Sequence, residues 1–185
     1  MAVDDEVSGA LHGQRVDRAV FAARCAERMV QVFTGLREGD EDRRADVDAA
    51  IIAMDDLWQV GLSRDVFLVH LEKIVGFAEM APSDEELEGV RDVYSAYSVL
   101  ALRYALRYRA SGDVEDVIRC AHANLTAMGQ LDANIANGNF FEEEQRIELE
   151  SVRAGEGGIS ATEMRTADQA VSRARLNAIR NRLVI

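Results

Sequence analysis

An all-α fold follows from three features of this 185-residue chain. It contains a single proline, Pro82, and its glycines fall mostly in clusters between periodic segments. No stretch shows the alternation of Val, Ile and Thr that marks strands. The stretch VRDVYSAYSVLALRYALRY, Val90 to Tyr108, is apolar on almost every side when set on a helix. A helix of that kind belongs in the middle of a helical protein. The expectation is a single domain over residues 1–185, built of six or seven mostly antiparallel helices around a central helix near 84–110. At about 100° per residue, Tyr94, Tyr97, Tyr104 and Tyr108 lie within roughly 80° of one another. That stripe reads as core packing with phenol tips reaching polar partners, and a ligand-stacking face is the alternative. Tyr97, mid-stripe, is expected to leave a cavity when truncated.

Composition narrows the function classes. Hydrophobic residues make up 48% of the chain, enough for a real core. The net charge is −12, which argues against nonspecific nucleic-acid binding and against adsorption to anionic membranes. It suits a protein that meets a basic partner. The two cysteines, Cys25 and Cys120, form no CxxC pair and are too few for a disulfide scaffold. The start, MAVDDEV, lacks the basic and apolar regions of a secretory signal, and no apolar run approaches membrane-spanning length. A cytoplasmic location is expected.

In chain order, residues 1–13 read as a weakly periodic lead-in. Gln14 to Leu36 forms the first long helix, with Ala22, Cys25, Ala26, Met29, Val32, Phe33 and Leu36 on a broad apolar face, ended by Gly35, Gly39 and Asp40. Glu41 to Val60 forms the second, striped by Val47, Ile51, Met54 and Trp58 and closed by Gly61. Ser63 is placed to cap a third helix reaching Met80, with Phe67, Leu71, Ile74 and Ala78 on its buried side. Ser83 and Glu86 have capping-box spacing before the central helix. Ser111, Gly112 and Asp113 break the chain, and Asp113 caps a fifth helix ended by Gly138, a natural left-handed terminator. Residues 140–153, FFEEEQRIELESVR, form an acidic amphipathic helix anchored by Phe140, Phe141, Ile147 and Val152. Ser160 and Glu163 form a second capping box that opens a basic last helix carrying Arg165, Arg173, Arg175, Arg180 and Arg182. The acidic and basic C-terminal segments are complementary in sign. Two solvated faces are one reading, and mutual packing, or exchange between two copies in a homodimer, is the other.

Phe21 to Met29, FAARCAERM, resembles the bacterial family catalogued as domain of unknown function 416, the YjaG-like proteins. Trp58, Leu71-Glu72-Lys73, Pro82-Ser83, Val93-Tyr94 and Ser111-Gly112 are similar as well. The resemblance covers residues 14–135, and residues 140–185 diverge from it. It implies stacked antiparallel helices and no activity that could be carried over.

Catalytic and metal patterns are sparse. The histidines His12, His70 and His122 belong to no Glu-x-x-His or HExxH arrangement. Cys120 and His122 point to different sides of a helix. Cys25 lies on an apolar face and reads as a small hydrophobe, although a dyad with a histidine stays open. No phosphate-binding glycine loop or GxSxG occurs, so neither a catalytic residue, a metal site nor a cofactor is expected. The polar group that stands out is Arg24, Glu27 and Arg28 beside the apolar face of the first helix. Arg24 and Arg28 are four apart, and like charges at that spacing call for an anion nearby. A carboxylate from a neighbouring helix is one source, and a small anionic ligand held by Arg24, Glu27, Arg28, Tyr94 and Tyr97 is the other. The leading expectation is a non-catalytic protein acting through protein contacts, as an acidic adaptor or immunity-type inhibitor of a basic partner. A small-molecule binder or enzyme using the Arg/Glu/Tyr group is the rival.

Overall fold

The computed structural model describes residues 3–13, 16–81, 89–153 and 159–183. These residues form eight α-helices and two 3-10 turns packed as one helical bundle, with no strand among them. The helices are α1 (Val3–His12), α2 (Arg18–Arg37), α3 (Arg44–Leu57), α4 (Arg64–Val75), α5 (Val90–Ser111), α6 (Val114–Asp132), α7 (Phe140–Arg153) and α8 (Ala161–Leu183). The 3-10 turns, Glu41–Arg43 and Ala78–Met80, flank α3 and follow α4. The capping pair Ser83–Glu86 lies outside the described residues.

The central position is shared by two helices. α5 packs along α2, α6 and α4, while α2 packs along α5, α8, α3 and α6. From Phe21 to Phe33, α2 is buried on nearly every side, including the charged residues Glu27 and Arg28. Gly35 does not end this helix. A Cβ there would run into Leu176, so the missing side chain is what lets α8 lie against α2. Within the stretch expected to be a lead-in, Val3–His12 fold instead as α1. Its apolar signal is weak, and Val7 and Leu11, one turn apart, are buried where α1 meets α6 and α7.

Local signals set most helix starts. Asp17 caps α2 by accepting the N–H groups of Ala19 and Val20 at 3.0 and 3.1 Å. Asp113 accepts from Glu115 N–H at the start of α6. At α8 the Glu163 carboxylate accepts the Ser160 N–H at 2.9 Å and Ser160 Oγ accepts the Glu163 N–H at 3.2 Å, completing the box. Ser63 sits at the N-cap of α4, but its side chain makes no capping bond. Gly112 ends α5 in the left-handed region, φ 79°. Between α6 and α7 the left-handed residue is Asn137, φ 61°, rather than Gly138. Gly138 gives room instead to Asp132, whose carboxylate accepts the N–H groups of Phe140 and Phe141 and so caps α7 from the end of α6.

The tyrosine stripe is divided between core and surface. Tyr94 is 1% exposed, and its hydroxyl accepts from Arg182 at 3.4 Å. Tyr97, Tyr104 and Tyr108 are only partly buried. Tyr97 reaches the surface, where its hydroxyl accepts from Gln130 Nε2 at 3.1 Å. The fully buried side of α5 is the one carrying Ser98, Val99, Ala101, Leu102, Ala105 and Leu106. The residue whose loss opens a cavity is therefore Tyr94. Tyr94→Ala is expected to lower unfolding free energy by about 3–5 kcal/mol, and Tyr97→Ala by about 1 kcal/mol, in urea titrations of the two variants.

Candidate functional site

Arg28 is fully buried, and the bundle brings acidic partners to it from two other helices. α7 turns Glu144, Ile147 and Glu148 inward, three residues on one helical stripe. α8 turns Asp168, Ser172, Arg175, Leu176 and Ile179 inward in the same way. Arg28 Nε donates to both oxygens of Glu144 at 3.1 Å, and Nη2 donates to Glu144 Oε1 at 2.7 Å. Its Nη1 donates to Asp168 Oδ1 at 3.3 Å. Arg24, four residues earlier, donates to Asp168 from Nε at 2.7 Å and from Nη2 at 3.3 Å. Arg175 completes the group by donating from Nη2 to Glu144 Oε2 and from Nη1 to the Arg28 carbonyl. The anion that the Arg24–Arg28 spacing calls for is thus supplied by the chain itself.

Around this network three more groups are shut away from water. Asn124, on α6, donates from Nδ2 to the Cys25 carbonyl at 2.9 Å and to Glu144 Oε1 at 3.1 Å. Cys25 Sγ accepts from Arg28 Nη2 at 3.4 Å. Glu148 is 1% exposed, and its Oε1 has no hydrogen-bond partner. Burial would push the Glu144 carboxyl up, but Arg175 and Arg28 override it and hold it far below the usual carboxylate range. Glu148 goes the other way: burial and then the Glu144 charge push it well above that range. Burial and a hydrogen bond with Cys120 likewise push the Cys25 thiol up. Cys25 faces Cys120, Arg28 and the two glutamates, with no histidine within that set.

The five residues singled out from the sequence do not converge. Arg24 and Arg28 meet at Asp168. Glu27, one residue from Arg28, points to another side of α2. It accepts from Trp58 Nε1 at 2.7 Å and from Arg165 Nε at 3.0 Å, and burial raises its carboxyl above the usual value. Trp58, Arg165, Thr162, Thr166 and Gln169 line an open groove at this edge, between the end of α3 and the start of α8. Tyr94 serves α8 and Tyr97 serves α6. Tyr97 and Tyr104 also line a shallow surface groove with Arg119, His122 and Thr126.

Cys25, Glu144 and Glu148 present three donor atoms within 4.8 Å of one another and are the residues that could hold a metal ion. Two features work against it. A cation would sit beside the guanidiniums of Arg28 and Arg175, and both Cys25 and Glu148 would first have to lose a proton. The arrangement suits a proton-sharing ion cluster better than a metal centre. Glu144, Glu148, Asp168 and Arg175 were not among the residues marked from the sequence. The available signal was their register: Glu144 and Glu148 bracket Ile147, and Arg175 adjoins Leu176 on the stripe of Ile179. Comparison with family models, curated proteins and solved structures returns no match.

The raised carboxyl of buried Glu148 has a measurable consequence. A carboxyl whose folded pKa is raised stabilises fully below its unfolded value, about 4.3, and that stability drains away as pH rises through the folded value. Glu148→Gln keeps the neutral shape and removes the titration. The gap in unfolding free energy between variant and parent is expected to grow in the variant's favour from about pH 5 upward, by at most ~1.4 kcal/mol per pH unit. Parallel stability curves from pH 5 to 9 would show that Glu148 is ionised in the fold.

Proposed function

We propose that this chain is a non-catalytic cytoplasmic protein that acts through protein contacts, as an acidic adaptor or immunity-type inhibitor of a basic partner. The observation that carries this reading is the closure of the Arg24–Arg28 pair. Its guanidiniums are taken by Glu144 and Asp168, and Arg28 is sealed from solvent. The arginine pair therefore leaves no open anion site for a substrate. The net charge of −12 supports a basic partner and argues against nucleic acid. Among the described residues no helix is long and apolar enough to cross a membrane. Membership of the domain of unknown function 416 family belongs to the same proposal and adds no reaction.

One observation favours a second reading. The groove of Trp58, Arg165 and Gln169 is open and polar, and two of its lining residues, Trp58 and Arg165, donate to the buried carboxylate of Glu27. A small polar ligand could lodge there, with Arg165 shared between Glu27 and Asp55 as its charged wall.

Two measurements test the protein-contact reading against an anion site at Arg28. Isolation of the tagged full chain from native lysate is expected to bring down one basic protein in near-stoichiometric amount. Thermal melting of the parent is expected to ignore added phosphate and dicarboxylates, while Arg28→Ala loses about 3 kcal/mol or more, because it leaves Glu144 and Asp168 underpaired. Arg28→Lys should recover only part, since lysine cannot make the two-pronged contact. A stable Arg28→Ala protein, with an anion-dependent melting shift seen in the parent and lost in the variant, would replace this reading with a binding site.

A further inference from the structure

α3 and α4 pack side by side, joined by a hydrogen bond between Asp56 and His70 at 2.7 Å, with α3 buried against α2 and α5 and α4 against α5. Their outward lines carry one pattern twice. On α3 the line reads Asp48, Ile51, Ile52, Asp55, and on α4 it reads Asp65, Leu68, Val69, Glu72. Each is spaced i, i+3, i+4, i+7, which places all four residues on one helical face. The apolar pairs are open to water: Ile51 is 45% exposed, Ile52 52%, Leu68 44% and Val69 51%, and Val75 extends the second line at 55%. Single exposed apolar residues are ordinary, but paired ones on two adjacent helices mark a surface that is covered in use.

The acids say what covers it. Each apolar pair is bracketed by carboxylates one turn away on either side. Asp55 is shared with Arg165. Asp48, Asp65 and Glu72 form no ion pair with any described residue. The exposed cations Arg44, Arg64 and Lys73 sit at the edges of these lines rather than between the apolar pairs and their brackets. A second copy of this chain would set carboxylate against carboxylate across a protein that already carries −12. We infer that the outward face of α3 and α4 docks a basic amphipathic helix of a partner, its apolar ridge on the Ile51–Ile52 and Leu68–Val69 pairs and its lysines or arginines on the bracketing carboxylates. Helix-in-groove recognition of this kind reads anchors at the same i, i+3, i+4, i+7 spacing. The inference rests on the reading above that the chain works through protein contacts.

The test is selection of a displayed library of helix-forming peptides against the full chain, followed by binding measurements on Ile52→Ser/Leu68→Ser. Both positions are exposed, so the variant is expected to melt like the parent. Enriched peptides are expected to carry an apolar pair bracketed by Lys or Arg, to bind at least tenfold more weakly to the double variant, and to weaken as salt rises. Enrichment of acidic or uncharged peptides, equal binding to parent and variant, or no enrichment would overturn the proposal. A dimer in sedimentation that the double variant abolishes would overturn it too, by putting a second copy on the face. If the lysate partner binds the double variant undiminished, this site fails while the protein-contact reading stands. If no partner is recovered, that reading fails on its own.

Discussion

Glu144 is held between two buried guanidiniums, Arg28 from α2 and Arg175 from α8, and the packing of the C-terminal half depends on that contact. Each of the three charges is almost wholly removed from water. None could stay ionised there alone, since the desolvation penalty of a lone buried ion is several kcal/mol. Together they compensate one another, and only when α2, α7 and α8 are all in place. α7 has little else to fix its position: Ile147 is its one fully buried apolar residue, with Phe140, Phe141, Leu149 and Val152 only partly covered. The ion cluster therefore sets the rotation of α7 as much as its apolar contacts do. It specifies the arrangement more than it adds stability, because well-packed apolar residues in its place could be equally stable.

Charge counting explains why two glutamates on one stripe behave differently. Arg24 keeps some exposure, so its charge is partly answered by solvent. The fully buried ions are Arg28 and Arg175 against Glu144 and Asp168, which already balance. A carboxylate charge at Glu148, one turn after Glu144, would be an excess negative charge in a closed site, and burial and the Glu144 charge push its carboxyl well above the usual range. The Cys25 thiol, wedged against the same group, stays protonated for the same reason. The charges of the Arg24–Arg28 pair are thus answered by Glu144 and Asp168 from within the chain, which is what turns the arginine pair from a ligand-binding motif into a structural one.

Much of the frame is legible in the sequence because its causes are local. One proline, the glycine breaks, Asp113 before α6 and the Ser160–Glu163 box each act within a few residues, and α5 and α7 announce themselves by period. α1 was hidden because its apolar signal is weak, and the pair that anchors it is Val7 and Leu11, one turn apart. The site was half legible. The spacing of Arg24 and Arg28 shows that a negative group must lie near, but not which one. Its partners, 116 and 140 residues further on, look like members of ordinary solvated charge runs, because a buried ion pair has no composition of its own. Among the described residues, the sign complementarity of the two C-terminal segments condenses to the ion pair of Glu144 with Arg175. The remaining arginines of α8 that pair do so elsewhere, Arg165 with Glu27 and Asp55 and Arg180 with Glu38.

A double-mutant cycle between Arg28 and Glu144 tests the central claim most directly. Arg28→Met and Glu144→Leu each remove one charge and leave apolar volume behind, and urea unfolding of both variants, the double variant and the parent closes the cycle. Each single change is expected to lose about 3–5 kcal/mol, and the double variant is expected to lose about as much as one of them, giving a coupling of more than about 2 kcal/mol. Additive losses, within about 0.5 kcal/mol, would contradict the account by showing that Arg28 and Glu144 do not act as a buried pair.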